Sequence, residues 1–248
     1  MAEMTLPHGF REAQRELNGL TATAERRVLL WLAARVPAGI GSDHLTALGA
    51  SAALVAGLLY AASANRPWLL LLVNLALVAN WLGDSLDGTL ARYRRRTRPR
   101  YGFYVDHLLD SLGALFLLSG LALSGHLSRT LAAATLVAYL LLSIEIYLAT
   151  YTLGRFRIAY GGIGGTELRL LLCGANLVLF ARPEARLLGR PLFDALAIGA
   201  TLGLIVTLVA SSLCHGRELY RQEPLGDAPS GTAWSVTEVA PSDGEACL

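Results

Sequence analysis

Four aspartates, Asp84, Asp87, Asp106 and Asp110, sit within one short stretch, residues 83–110, GDSLDGTLARYRRRTRPRYGFYVDHLLD, between apolar segments. On helices, the first pair is three apart and the second four apart, so each pair shares one helix face. The Arg-rich stretch between them reads as the loop of a helical hairpin, which lets the pairs converge. One acid deep in a bilayer costs about 2.5–3.5 kcal/mol, so four facing lipid would cost roughly 10 kcal/mol and repel each other as well. Bound cations offset most of that cost. An all-oxygen donor set suits a hard cation such as Mg2+ or Mn2+. Four carboxylates suffice for two such ions about 3.5–4 Å apart, the arrangement of two-metal phosphoryl chemistry. Gly88 and Ala91 follow Asp87, and Gly102 stands four before Asp106. Small residues on an acid-bearing face admit a bulky ligand to the backbone; the competing explanation is close helix packing. Arg92 is a candidate phosphate partner.

The elements that must position these residues are membrane helices. Apolar residues make up 54% of the 248, and only 16% are charged, which is more apolar sequence than an aqueous core of this size needs. The expected fold is all-α: a polytopic membrane protein with six transmembrane helices and an N-terminal amphipathic surface helix. The spans are expected near residues 43–63, 67–93, 102–124, 129–152, 166–181 and 192–213, with the fifth short for a crossing. Residues 8–36 mix charged and apolar residues at helical spacing and stop at Pro37 and Gly39. They read as a helix on the membrane surface or as a cap on the bundle. The resulting organisation is an N-terminal segment, 1–39, a membrane domain, 40–222, and a tail, 223–248, whose Pro, Ser, Gly and acids read as disordered.

All 21 basic residues are arginine, and their distribution sets the expected orientation. With a cytoplasmic N-terminus, 16 arginines fall on the cytoplasmic side and 5 on the other. Both termini and the acid-rich hairpin are therefore expected in the cytoplasm, at a bacterial inner membrane. The polar first 20 residues do not read as a cleaved secretory signal. Cys173, Cys214 and Cys247 have no paired spacing, which argues against a disulfide framework or a zinc site. Nucleic-acid binding is not expected beside these spans.

Asp84-x2-Asp87-Gly88-x2-Ala91-Arg92-x9-Gly102-x3-Asp106-x3-Asp110 closely resembles the signature of the CDP-alcohol phosphatidyltransferase family. The x9 gap is often eight in that family, and here the extra residue lies in the loop. The resemblance covers roughly residues 40–215. It implies a cytoplasm-facing enzyme with six spans that cleaves a CDP-linked substrate at its diphosphate, passes the phosphate-bearing group to an acceptor hydroxyl and releases CMP. By resemblance, Asp84, Asp87 and Asp106 bind metal, and Asp110 is the general base while also touching a metal. Gly88, Ala91 and Gly102 line the cytidine nucleotide, with Asp84, Asp87 and Arg92 nearby. The implied partners are a CDP-linked donor, an alcohol acceptor and membrane lipids. The leading donor is CDP-diacylglycerol with a small polar alcohol or its phosphate as acceptor; the alternative is a CDP-amino alcohol donating to a lipid alcohol such as diacylglycerol. Homodimers occur in the family.

Other polar residues are candidates for the acceptor. Glu145, in an apolar run, is a functional candidate or the structural partner of an arginine. Arg155, Arg157 and Arg169 flank a glycine-rich turn that suits a phosphate or acceptor pocket, or serve as positive-inside anchors. Asn80 shares the face of Asp84 and touches either the nucleotide or a neighbouring helix. Arg94–Arg100 reads as lipid-headgroup contact. An ion-coupled transporter would explain the acids, but not Gly88, Ala91, Arg92 and Gly102 in this order.

Overall fold

A computed structural model describes residues 22–153 and 164–223. Seven α-helices run through them: α1 (Ala22–Ala33), α2 (Ser42–Ala62), α3 (Leu69–Tyr93), α4 (Pro99–Ser124), α5 (Arg129–Leu153), α6 (Gly165–Ala181) and α7 (Leu192–Gln222). A 3-10 turn, Ser63–Asn65, extends α2, and a small antiparallel hairpin pairs β1 (Arg186–Leu187) with β2 (Arg190–Pro191) before α7. Helices α2, α3, α4, α5 and α7 are each long and apolar enough to cross a membrane, so this is a multi-pass membrane protein. Helix α6 corresponds to the expected fifth span but has 17 residues, or about 26 Å, a few ångströms less than a typical hydrocarbon core. The glycine-rich turn with Arg155 and Arg157, the first part of the expected surface helix and the C-terminal tail lie outside the described residues.

Helix α2 is the central strut, packed against both α3 and α4. Glycines permit the close approach. A Cβ on Gly83 of α3 would come within 2.6 Å of the Gly49 Cα, and one on Gly57 of α2 would come within 2.5 Å of the Phe116 carbonyl of α4. Gly120 of α4 sits against the backbone of Gly57 in the same way. One core, around Tyr60, Leu70, Val73, Leu77 and Leu121, joins α2, α3 and α4 to α6 and α7. Within it, the Tyr60 hydroxyl donates to Asn176 Oδ1 (3.0 Å), Asn176 Nδ2 donates to Asn74 Oδ1 (2.7 Å), and Asn74 Nδ2 donates to the Cys173 carbonyl (3.2 Å). A chain of mutually satisfied polar groups thus ties α6 to α2 and α3 where no water is available to replace a missing bond.

A second, smaller core holds α1 down. Leu29 and Ala33 pack on Leu45, Leu86 and Leu90, while Val28, Leu30 and Trp31 stay exposed. The helix therefore docks one face on the bundle and leaves the other for the surroundings. Arg94 locks the linker behind it by donating to the carbonyls of Val36 (2.8 Å), Pro37 (3.0 Å) and Ile40 (2.5 Å). Arg98 pairs with Asp43 at the head of α2. Two arginines expected to contact lipid headgroups are thus part of the fold.

Candidate active site

The two acid pairs do converge. Asp84 and Asp87 come from α3, Asp106 and Asp110 from α4, and α2 forms the wall between them. Asp84, Asp106 and Asp110 each offer a carboxylate oxygen within 4.8 Å of the other two, a set able to hold a metal ion. Asp87 stands beside them in a cleft also lined by Thr46, Gly49, Ala50, Ala53, Asn80 and Leu109. Its Oδ2 accepts a 2.6 Å hydrogen bond from Thr46 Oγ1, and its Oδ1 faces the Gly88 N–H. These carboxylates are hard oxygen donors gathered in one place, so their chemistry fits a hard divalent cation.

Gly88, Ala91 and Arg92 continue the acid-bearing face of α3 by a further turn, and Gly102 lies one turn before Asp106 on α4. Close helix packing does not explain the glycines. Among the described residues, a Cβ on Gly102 would meet nothing within 4 Å, and the nearest neighbour of one on Gly88 would be the flexible Arg92 guanidinium, at 3.5 Å. Space beside the acids is left open at both positions.

Arg169 is brought to this site, but onto an acid. From the first turns of α6 it donates Nη2 to Asp84 Oδ2 (2.7 Å) and Nε to Asn80 Oδ1 (2.8 Å). Asn80 is itself fixed by donating to the Gly49 carbonyl (2.9 Å), so its contacts are interhelical. An Arg–carboxylate pair in a partly buried setting is a strong, directional contact. Here it engages Oδ2 of Asp84. Helix α6 starts cleanly at this point because Glu167 Oε2 accepts the Gly164 N–H (2.9 Å).

Glu145 is not among the cleft-lining residues. Its Oε1 pairs with His215 Nδ1 of α7 at 2.6 Å, so among the described residues its structural partner is a histidine. Along with a Thr135–Thr201 hydroxyl contact (2.8 Å), this pair joins α5 to α7. Arg155 lies outside the described residues.

Sequence reasoning missed Thr46 and Glu25. Thr46 heads a stripe of small residues on α2, with Gly49, Ala50 and Ala53 at helical spacing, and that stripe was the available signal. Glu25 of α1 had none, because its partners lie 56 to 141 residues away.

The fold and the cleft define a helical membrane protein with clustered carboxylates between its second, third and fourth helices. The family model for CDP-alcohol phosphatidyltransferase matches residues 42–211, more than two thirds of the chain. The chain belongs to that family. It is a transferase of phospholipid biosynthesis, and the family's reaction moves a phosphatidyl group from a CDP-alcohol to an alcohol acceptor. No curated protein matches it.

Proposed function

We propose that this enzyme transfers the phosphatidyl group of CDP-diacylglycerol to a hydroxyl of a small polar alcohol or alcohol phosphate and releases CMP. The observation that carries the reading is the convergence of Asp84, Asp106 and Asp110 in a single cleft, inside a chain of this family. Asp84, Asp87, Asp106 and Asp110 would hold two divalent cations, Mg2+ or Mn2+, which would supply charge neutralisation on the donor diphosphate. Gly88, Ala91 and Gly102 leave space for the cytidine nucleotide, and Arg92 pairs with its phosphate. Asp110 takes the proton of the acceptor hydroxyl as that oxygen attacks the lipid-bearing phosphorus. The bond from phosphorus to the CMP oxygen breaks, and CMP leaves with its electron pair. Arg169 and Arg155 are the acceptor-side candidates. Glu145, held by His215, serves the α5–α7 contact instead.

In this reading α6 is the fifth of six spans, residues 1–39 form the interfacial segment, 40–222 the catalytic domain and 223–248 the tail. The cleft faces the cytoplasm of a bacterial inner membrane, on the side that collects 16 of the 21 arginines. An impermeant thiol reagent applied to intact cells is then expected to leave Thr97→Cys unlabelled.

The test is a screen of CDP-linked donors against acceptors with purified protein, reading CMP and the lipid product by mass spectrometry. CMP release that stops in chelator and returns with Mg2+ or Mn2+ is expected. Turnover without any divalent ion would remove the cation reading. Turnover with a CDP-amino alcohol and diacylglycerol, but not with CDP-diacylglycerol, would reverse donor and acceptor. Ion flux without CMP release would make the protein a transporter.

A further inference from the structure

Glu25 is the unusual acid outside the cleft. One of its oxygens, Oε1, accepts three hydrogen bonds from two different helices. Trp81 Nε1 donates at 2.9 Å and Ser85 Oγ at 3.2 Å from α3, and Thr166 Oγ1 donates at 3.0 Å from α6. The donors bracket the site: Trp81 is three residues before Asp84, Ser85 is next to it, and Thr166 is three before Arg169. One turn further along α6, and at nearly the same level of α3, the two helices are joined by Arg169 on Asn80 and Asp84. Deeper, they are joined by Asn74, Asn176 and the Cys173 carbonyl. Glu25 therefore closes the outermost of three cross-links between α3 and α6, and it does so from α1, a helix that contributes nothing to the cleft itself. Helix α1 is seated for this by Leu29 and Ala33 in their own small core.

We infer that Glu25 is a positioning residue: from the docked α1 helix it fixes α6 against α3, so that Arg169 holds Asp84 in the orientation that faces the cation site. The inference rests on the proposed function in one respect, the assignment of Asp84 to a cation. It makes α1 part of the active-site architecture as well as a surface element. It also specifies which chemistry of Glu25 matters. All three bonds use one acceptor oxygen, so an amide oxygen can replace it and the negative charge is not required.

The experiment measures Mn2+ affinity of the full-length protein in nanodiscs by electron paramagnetic resonance, with no turnover involved. Glu25→Ala is expected to weaken Mn2+ binding by about 3- to 10-fold, less than the about 10- to 100-fold typical of losing a group that orients a ligand directly. Glu25→Gln is expected to keep wild-type affinity. In an Arg169→Gln background, adding Glu25→Ala is expected to change affinity by less than about two-fold, because the two residues act through one contact. Wild-type affinity in Glu25→Ala, a loss in Glu25→Gln equal to that in Glu25→Ala, or full additivity with Arg169→Gln would each overturn the inference. Should Glu25→Ala fail to fold, Thr166→Val removes one donor from the α6 side at constant size. It is expected to weaken Mn2+ about 2- to 5-fold, and wild-type affinity there would overturn the inference too. Asp84→Asn separates the failures. If it leaves Mn2+ binding unchanged, the cation assignment falls and this inference with it. If it weakens binding while Glu25→Ala does not, only the role of Glu25 falls.

Discussion

Glycines on α2, α3 and α4 do two different jobs. At the helix crossings, Gly57 and Gly120, and Gly49 and Gly83, bring backbone against backbone, and a single Cβ at Gly57, Gly83 or Gly120 would collide with main-chain atoms, while one at Gly49 would press on the Asp84 N at 3.1 Å. Beside the acids, Gly88 and Gly102 have room for a Cβ among the described residues. The polar groups divide the same way. Tyr60, Asn176 and Asn74 satisfy one another inside the core, whereas the oxygens of Asp84, Asp106 and Asp110 are gathered at a cleft. A residue type alone therefore says little here. The space around it separates a packing role from a ligand role. An interior glycine with no contact to make is a cost to a helix, about 0.5–1 kcal/mol relative to alanine, and a ligand that needs the space gives a reason to bear it.

That contrast breaks most severely at the crossings. Gly120→Val places a branched side chain against the Gly57 backbone. Overpacking of this kind costs at least about 1–3 kcal/mol, and with backbone on both sides the expected result is loss of folded, monodisperse protein on size-exclusion chromatography. A well-folded Gly120→Val would mean that α2 and α4 do not cross as closely as described.

Next in size is Asp110→Asn, which keeps the shape and an oxygen but loses the proton acceptor. Turnover is expected to fall by about 10²–10⁴-fold, with thermal stability and CDP-donor affinity largely retained. Near-normal turnover would place the base elsewhere. Asp87→Asn is expected to differ by weakening Mn2+ and donor binding together, read by titration at fixed protein concentration.

Gly88→Ala and Gly102→Ala test the comparison most directly. Each is expected to leave thermal stability unchanged or raise it, by up to about 1 kcal/mol from helix propensity, while CDP-donor affinity falls. A change that stabilises the fold and weakens the ligand is the signature of reserved space. Unchanged donor affinity in both variants would show that the space is not used by the nucleotide. The smallest effect on activity is expected at the other pole: Tyr60→Phe deprives Asn176 of a donor and lowers stability by about 1–3 kcal/mol, with turnover per folded enzyme unchanged.

The sequence by itself determined the helical membrane character, the positions of the long apolar helices and the identity of the four acids as a set. Those features follow from hydropathy and from spacing of three or four along one helix, which is local information. The hairpin through residues 94–98 joined the two pairs because a short loop leaves neighbouring helices few other arrangements. Tertiary structure alone decided the rest. Gly88 and Gly102 could not be told from Gly57 and Gly120 in the sequence, because the distinction lies in what stands opposite. Asn80 and Arg169 were visible as polar residues, but the bonds that Arg169 donates to Asn80 and Asp84 join α3 to α6 across 85 or more residues. Arg94 read as one more cation in a basic loop, yet it caps three carbonyls of the α1–α2 linker. Glu145 stood out as a lone membrane acid until His215, 70 residues on, took up one of its oxygens. Glu25 was invisible for the same reason: its one oxygen is defined by two other helices, and only packing brings Trp81, Ser85 and Thr166 around it.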